Sequence, residues 1–113
     1  MKIDVREIDG ITILDVSGEM YGGPENARLV ELLEELAGKG HLDVVLNLAK
    51  VKWVASTGLG IMMRARAKFA SLGGKVRLCS LNDRVLSLLQ VTKMNLLFDV
   101  YKHESEAIAA ARG

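Results

Sequence analysis

An α/β domain built on a mixed sheet is the architecture this sequence predicts. Three observations carry that expectation. Two short stretches of alternating apolar residues meet at Asp9-Gly10, a two-residue hairpin signal, so the chain opens with an antiparallel pair. Beyond the hairpin, apolar runs alternate with segments of helical period, the pattern of parallel strands joined by crossover helices. With 113 residues, the chain is long enough for one domain with a real core and too short for two, giving a single domain over residues 1–113.

Taken in order, Ile3–Ile8 and Ile11–Val16 are the two strands of the hairpin. A type I′ turn between them needs positive φ at both central positions, which Asp and Gly accept. Ser17–Gly23 reads as a loop, its three glycines allowing a sharp turn or a close backbone approach. Pro24 suits the first turn of a helix, and Ala27, Val30 and Leu33, with Leu29, Leu32 and Leu36, form its broad apolar stripe. The adjacent carboxylates Glu34 and Glu35 fall on its solvated face, and Gly38 and Gly40 end it.

Leu42–Leu48 is almost continuously apolar, as expected of a strand covered on both faces. Thr57–Leu72 is a second helix with Met62, Ala65, Phe69 and Leu72 at core spacing, stopped by Gly73-Gly74. A separate stripe, Thr57, Ile61, Arg64 and Lys68, runs down the same helix and is expected to face outward. Met62 and Met63 are adjacent, so both cannot face the core. Val76–Leu81 is a fourth strand, and Asn82 or Asp83 caps a third helix over Asp83–Val91. Leu97–Tyr101 is a last short strand and Ser105–Arg112 a terminal helix, making about four helices in all.

Composition excludes several classes of function. The formal net charge of +1 lacks the basic excess of a dedicated nucleic-acid binder or of a surface that grips anionic membranes. Aromatic residues make up only 4% of the chain, leaving few stacking platforms for single-stranded nucleic acid. No secretory signal pattern stands at the start, and no apolar run approaches the roughly 20 residues of a membrane span. The single cysteine, Cys79, lies in an apolar strand and reads as a buried free thiol. The expectation is a cytoplasmic protein with no membrane insertion and no direct nucleic-acid partner.

Catalytic chemistry finds no constellation here. His41 and His103 sit at loop ends, outside any spacing for a metal site or a nucleophile–base pair. Ser56 is followed rather than flanked by glycines, so it is not a hydrolase elbow. No phosphate-loop or dinucleotide fingerprint is present. The expectation is therefore a protein that is not an enzyme and carries no metal and no cofactor. What remains is the turn Ala55-Ser56-Thr57-Gly58-Leu59-Gly60, where two hydroxyls stand together at the opening of a helix. Either could serve as the N-cap, its oxygen accepting a bond from a first-turn amide. Alternatively, a hydroxyl there is chemically addressed, and a phosphate would meet the positive end of the helix dipole. Trp53, just before the turn, reads as core, with an exposed partner anchor as the alternative.

One resemblance joins these pieces. Val44–Leu48, Val51–Val54, Ser56-Thr57-Gly58-Leu59-Gly60, Gly73-Gly74-Lys75-Val76 and Leu78-Cys79, with Gly18-Glu19 and Val85–Phe98, together resemble the STAS domain. More closely, they are similar to bacterial anti-sigma factor antagonists, and the resemblance covers nearly the whole chain. It implies a binding switch whose partner is an anti-sigma factor with serine kinase activity. It also implies phosphorylation at Ser56, with Thr57 as the alternative site, and loss of partner binding once phosphate is added. The expected partner surface comprises Glu19, Tyr21, Ala55, Ser56, Thr57, Gly58, Ile61, Arg64 and Lys68. Two positions depart from the family pattern: Ala55 stands where an Asp usually precedes the serine, and Tyr21 where an Asp usually follows the Gly-Glu pair.

Ala55 favours a second reading, a STAS-type module that is never phosphorylated and binds constitutively in a signalling complex or beside a lipid or anion transport system. A third, from another class, is a nucleotide- or anion-binding domain that uses the second helix's N-terminus. A homodimer through apolar residues near the turn stands beside all three.

Overall fold

The computed structural model describes the backbone of residues 1–20 and 24–113 and the side chains of residues 1–20 and 27–113. Its elements run β1 (Lys2–Ile8), β2 (Ile11–Met20), α1 (Pro24–Gly38), β3 (Asp43–Val54), α2 (Ser56–Ser71), β4 (Lys75–Cys79), α3 (Asp83–Val91), a 3₁₀ turn (Met94–Leu96), β5 (Asp99–Tyr101) and α4 (Glu104–Arg112). The five strands form one sheet in the order β1-β2-β3-β4-β5, antiparallel at β1–β2 and parallel thereafter. This is the mixed α/β architecture the sequence predicts. The hairpin turn is as expected, with Asp9 and Gly10 at φ of 53° and 80°.

The strand order decides where the helices go. Parallel crossovers are right-handed, and the strands are laid down in sequence across the sheet, so successive connections return over the same face. Side chains of α1 (Leu29, Leu33), α2 (Met62, Phe69) and α3 (Val85, Leu89) accordingly share one large core with Leu14, Val44, Leu46 and Leu78. The opposite face is left to α4. There Ala107 and Ile108 close a smaller core over Ile11, Ile13, Val45 and Cys79. The central strand is thus apolar on both sides because both sides are covered.

Several boundaries differ from the sequence reading, each for a local reason. β2 does not end at Val16; residues Ser17–Met20, expected as loop, continue beside β3. Two register shifts and Gly18 at φ 96° absorb the polar residues without ending the pairing. The rest of that expected loop, residues 21–23, lies outside the described residues. β3 likewise runs past Leu48 to Val54, because Val51 and Val54 turn back into the large core. β4 stops at Cys79, where Ser80 takes a left-handed φ of 62°. β5 begins at Asp99, since Met94–Leu96 wind into the 3₁₀ turn that follows left-handed Lys93. α4 starts one residue earlier than expected, where Glu106 accepts the His103 backbone N–H at 3.0 Å.

Two contacts tie the ends of elements together. Asn82 is the cap of α3, accepting the Val85 amide at 2.8 Å. Its side-chain amide also donates to the Val51 and Lys52 carbonyls at 3.2 and 3.0 Å, fixing α3 against the end of β3. On the far face, Arg6 of β1 forks onto Asp15 and Glu104, and Asn47 donates to Glu104 at 3.0 Å. These bonds hold the start of α4 to the sheet. They also hold the Glu104 carboxyl below its usual range, with the Arg6 hydrogen bond the main cause, and raise the Arg6 guanidinium above its ordinary value.

Candidate functional site

The site is the junction where β3 ends and α2 begins. Val54 is the last strand residue and is buried. Ala55 takes an extended conformation (φ −77°, ψ 164°) as the N-cap, and its carbonyl accepts the Leu59 amide at 2.9 Å. Alanine has no oxygen to offer, so no side chain caps the helix. Ser56 and Thr57 are therefore not the cap, as one reading of the sequence had it. They are the first two helical residues, and both are exposed. The displacement by one residue matters chemically. A capping hydroxyl is turned in toward the amides; a hydroxyl on the first helical residue stands outside the turn, above amides that have no intrahelical acceptor. The first turn also carries no acidic residue.

What fixes this junction is its approach to β2. The Ala55 amide donates to the Met20 carbonyl at 2.9 Å, as if β3 carried one more rung. One turn on, Gly58 lies against the same carbonyl: a Cβ on Gly58 would sit 2.2 Å from the Met20 oxygen. Only glycine permits that approach. The start of α2 is thereby seated on the end of β2, next to Glu19, which is half-buried.

The outward stripe expected on α2 is corrected at one position. Arg64 and Lys68 are exposed, but Ile61 is 1% exposed and belongs to the large core. The reason is the width of the covered arc. α1 packs alongside α2 while the sheet lies beneath it, so Ile61 is buried together with Met62, Ala65 and Phe69. Met62 is buried and Met63 packs half-exposed against the rim of the same core, the division that adjacency demands. Leu72, placed at core spacing by the sequence, is instead exposed at the helix C-cap.

Of the expected surface, then, Ala55, Ser56, Thr57 and Gly58 form the junction, Glu19 precedes the Met20 carbonyl on which it is seated, and Arg64 and Lys68 continue from it along α2. Gly58 contributes its fit rather than its surface, being buried. Tyr21 lies outside the described residues. Among the described residues no group of three or more His, Cys, Asp or Glu is placed to hold a metal ion. No helix there is long and apolar enough to cross a membrane. Cys79 is buried, and burial pushes its thiol up from the ordinary value, against a weaker opposing hydrogen bond with Ser80.

Sequence reasoning missed one feature. Trp53 is neither core nor fully exposed; it is half-buried in a groove of about 360 Å³ with Val54, Arg84, Leu88 and Val91. The signal was present in Val91, an apolar residue at the end of α3, three positions past Leu88 and at helical spacing from it.

Known proteins place this junction in context. An anti-sigma-B factor antagonist of Bacillus subtilis is 28% identical over 102 residues, covering 88% of this chain and 90% of its own. A Thermotoga neapolitana protein, provisionally designated an anti-sigma factor antagonist, is 31% identical over 91 residues, 79% of this chain and 80% of its own. A crystal structure of a Thermotoga maritima protein with the same provisional designation superposes with a TM-score of 0.84 at 27% identity, over 98% of this chain and 95% of its own. The STAS domain profile matches residues 2–107. That match spans most of the chain and agrees with the hairpin and the three helices on one face, and the chain belongs to the STAS domain family.

Proposed function

We propose that this chain is an anti-sigma factor antagonist: a protein-binding switch that sequesters an anti-sigma factor with serine kinase activity and is inactivated by phosphorylation at Ser56. The observation that carries the reading is the position of Ser56, exposed on the first turn of α2 beside an N-cap that supplies no side-chain acceptor. A kinase can reach this hydroxyl without undoing a cap. Relatives named as antagonists of anti-sigma factors, aligned along most of the chain, supply the partner class. The partner surface is Glu19, Ala55, Ser56 and Thr57, extended by Arg64 and Lys68, with Tyr21 following Met20.

The switch follows from electrostatics. An unmodified hydroxyl lies flat in a protein interface and finds a hydrogen bond there. A phosphate adds up to two negative charges, which the free protein accommodates at the positive end of α2. In the complex the same charges lose hydration or meet acidic partner groups, and affinity falls. The cytoplasm is where such a switch operates.

The experiment is to incubate the protein with ATP, Mg²⁺ and each candidate anti-sigma kinase of its source, map phosphate by mass spectrometry and follow complex formation by gel filtration. Phosphate on Ser56, absent in Ser56→Ala, with release of the partner, is the expected result. Phosphate on Thr57 moves the switch by one residue. A stable complex without any phosphate overturns the switch and leaves the constitutive binding module, the reading that Ala55 at the N-cap favours. No complex with any of them overturns the antagonist reading.

A further inference from the structure

We propose that the groove between the end of β3 and α3 is a second docking surface, which takes an acidic amphipathic helix of the partner. Its floor and walls are Trp53, Val54, Leu88 and Val91, with Arg84 at its edge. Val91, the last residue of α3, is 81% exposed, the largest exposure among the large apolar residues described. Arg84, Leu88 and Val91 stand at helical spacing, so α3 presents one ridge with a cation at its start and aliphatic side chains beyond. A half-buried tryptophan flanked by aliphatic groups is the kind of pocket that anchors a partner's apolar side chain.

Charge decides the occupant. Arg84 lines the groove; Lys52, which precedes Trp53 in β3, is exposed and lies outside the lining. Among the described residues neither cation forms an ion pair, and the same is true of Arg64 and Lys68 on α2. The only acidic residue of α3, Asp83, faces the other way, into a separate groove with Leu86, Gln90 and Tyr101. The trough is thus mostly apolar, with Ser87 its uncharged polar side chain and Arg84 its one charged lining residue, which fits a helix bearing aliphatic side chains flanked by carboxylates. A second copy of this chain does not supply one: α1 carries Glu31, Glu34 and Glu35, but its Leu29, Leu33 and Leu36 are already buried.

The groove is continuous with the junction. Val54 lines it, and Ser56 follows two residues later, so the Cα atoms of Trp53 and Ser56 are at most about 11 Å apart. One partner can cover both. In this respect the inference deepens the proposed function and rests on it, since the partner that reads Ser56 is the one that fills the groove.

The groove can be tested without that partner, because Trp53 is the only tryptophan in the chain and reports on its own site. The probes are two synthetic 16-residue helical peptides with leucines at i, i+3, i+4 and i+7. One carries glutamates at the positions flanking the leucines and alanines elsewhere, and the other has lysines in place of the glutamates. Titration of the full chain is expected to give a saturable blue shift of Trp53 emission with the acidic peptide and at least tenfold weaker binding of the lysine twin. Arg84→Glu and Val91→Glu, both at exposed positions, each weaken the acidic peptide at least tenfold with the melting temperature retained, and Val5→Thr, at an exposed position on the far edge strand β1, leaves it within twofold. Equal binding of the two peptides, no emission change, or an affinity indifferent to Val91→Glu overturns the proposal. So does a concentration-dependent dimer in sedimentation that Val91→Glu dissolves, since a second copy then occupies the groove. Failure of phosphorylation at Ser56 leaves this titration untouched, so the two readings fail separately.

Discussion

Gly58 is seated on the carbonyl of Met20, so closely that a methyl group at Gly58 would lie 2.2 Å from the oxygen and 2.9 Å from the Met20 Cβ. Two residues away, Gly60 has no atom within 4 Å of the same added methyl. The pair gives an internal control. Gly58→Ala must push α2 off the end of β2 and is expected to cost about 1–3 kcal/mol, the range for overpacking. Gly60→Ala, in an exposed helical position, is expected to stabilise by about 0.4–1 kcal/mol through the unfolded chain and helix propensity. Urea unfolding of the two variants checks both signs; equal effects would mean that the close approach does not constrain α2.

Ser56→Glu is expected to leave the fold intact and raise its stability by about 0.3–1 kcal/mol, because it puts a negative charge on the first turn of a helix that has no acidic residue there. A thermal melt at low and high salt checks it, the gain shrinking as salt screens the dipole. A destabilised variant would show that Ser56 holds the turn together, and its loss of binding could no longer be assigned to contact with a partner.

Ile61 and Arg64 lie less than one turn apart on α2 and have opposite environments. Ile61→Val is expected to cost about 0.5–1.5 kcal/mol and Ile61→Ala about 2–5, the range for losing buried methyl groups. Arg64→Glu is expected to change stability by less than about 0.5 kcal/mol, as exposed substitutions do. Denaturant midpoints of the three variants check the ordering. The consequence for binding experiments is direct: Ile61→Asp would unfold the chain and read nothing of the surface, whereas Arg64→Glu reads it.

The Arg6–Glu104 pair makes stability depend on pH with a definite sign. Its folded carboxyl titrates below the unfolded one. The contribution is therefore complete above the ordinary carboxylate range and is lost as pH falls through that range toward the folded value. Glu104 is about a quarter exposed and Arg6 more so, which limits the contribution to about 1 kcal/mol at neutral pH. Glu104→Gln is expected to be less stable than the parent at pH 7, with the difference closing as pH falls through and below the ordinary carboxylate range. Unfolding midpoints across that range check it; a difference that stays constant would place the effect in packing rather than charge.

The sequence by itself determined the hairpin, the alternation of strands and helices, and the face on which each helix is apolar. Asp9-Gly10 needs no distant partner to turn, Asn82 caps α3 with its own side chain, and the 3.6-residue period of Met62, Ala65 and Phe69 marks a core face whatever lies beneath it. It also singled out Ser56, because a hydroxyl at a helix start is a local pattern. Tertiary structure decided the rest. Whether Ser56 caps the helix or stands one residue inside it depended on the Met20 carbonyl, which takes the Ala55 amide and fixes where α2 begins. Whether Ile61 faced solvent depended on α1 lying alongside, since periodicity gives the centre of a buried stripe but the number of neighbouring elements sets its width. The groove at Trp53 likewise exists only because Asn82 holds α3 against the end of β3, a contact between residues 30 and 31 positions apart in the chain. Local pattern is written in neighbouring residues; surface is made by the packing of distant ones.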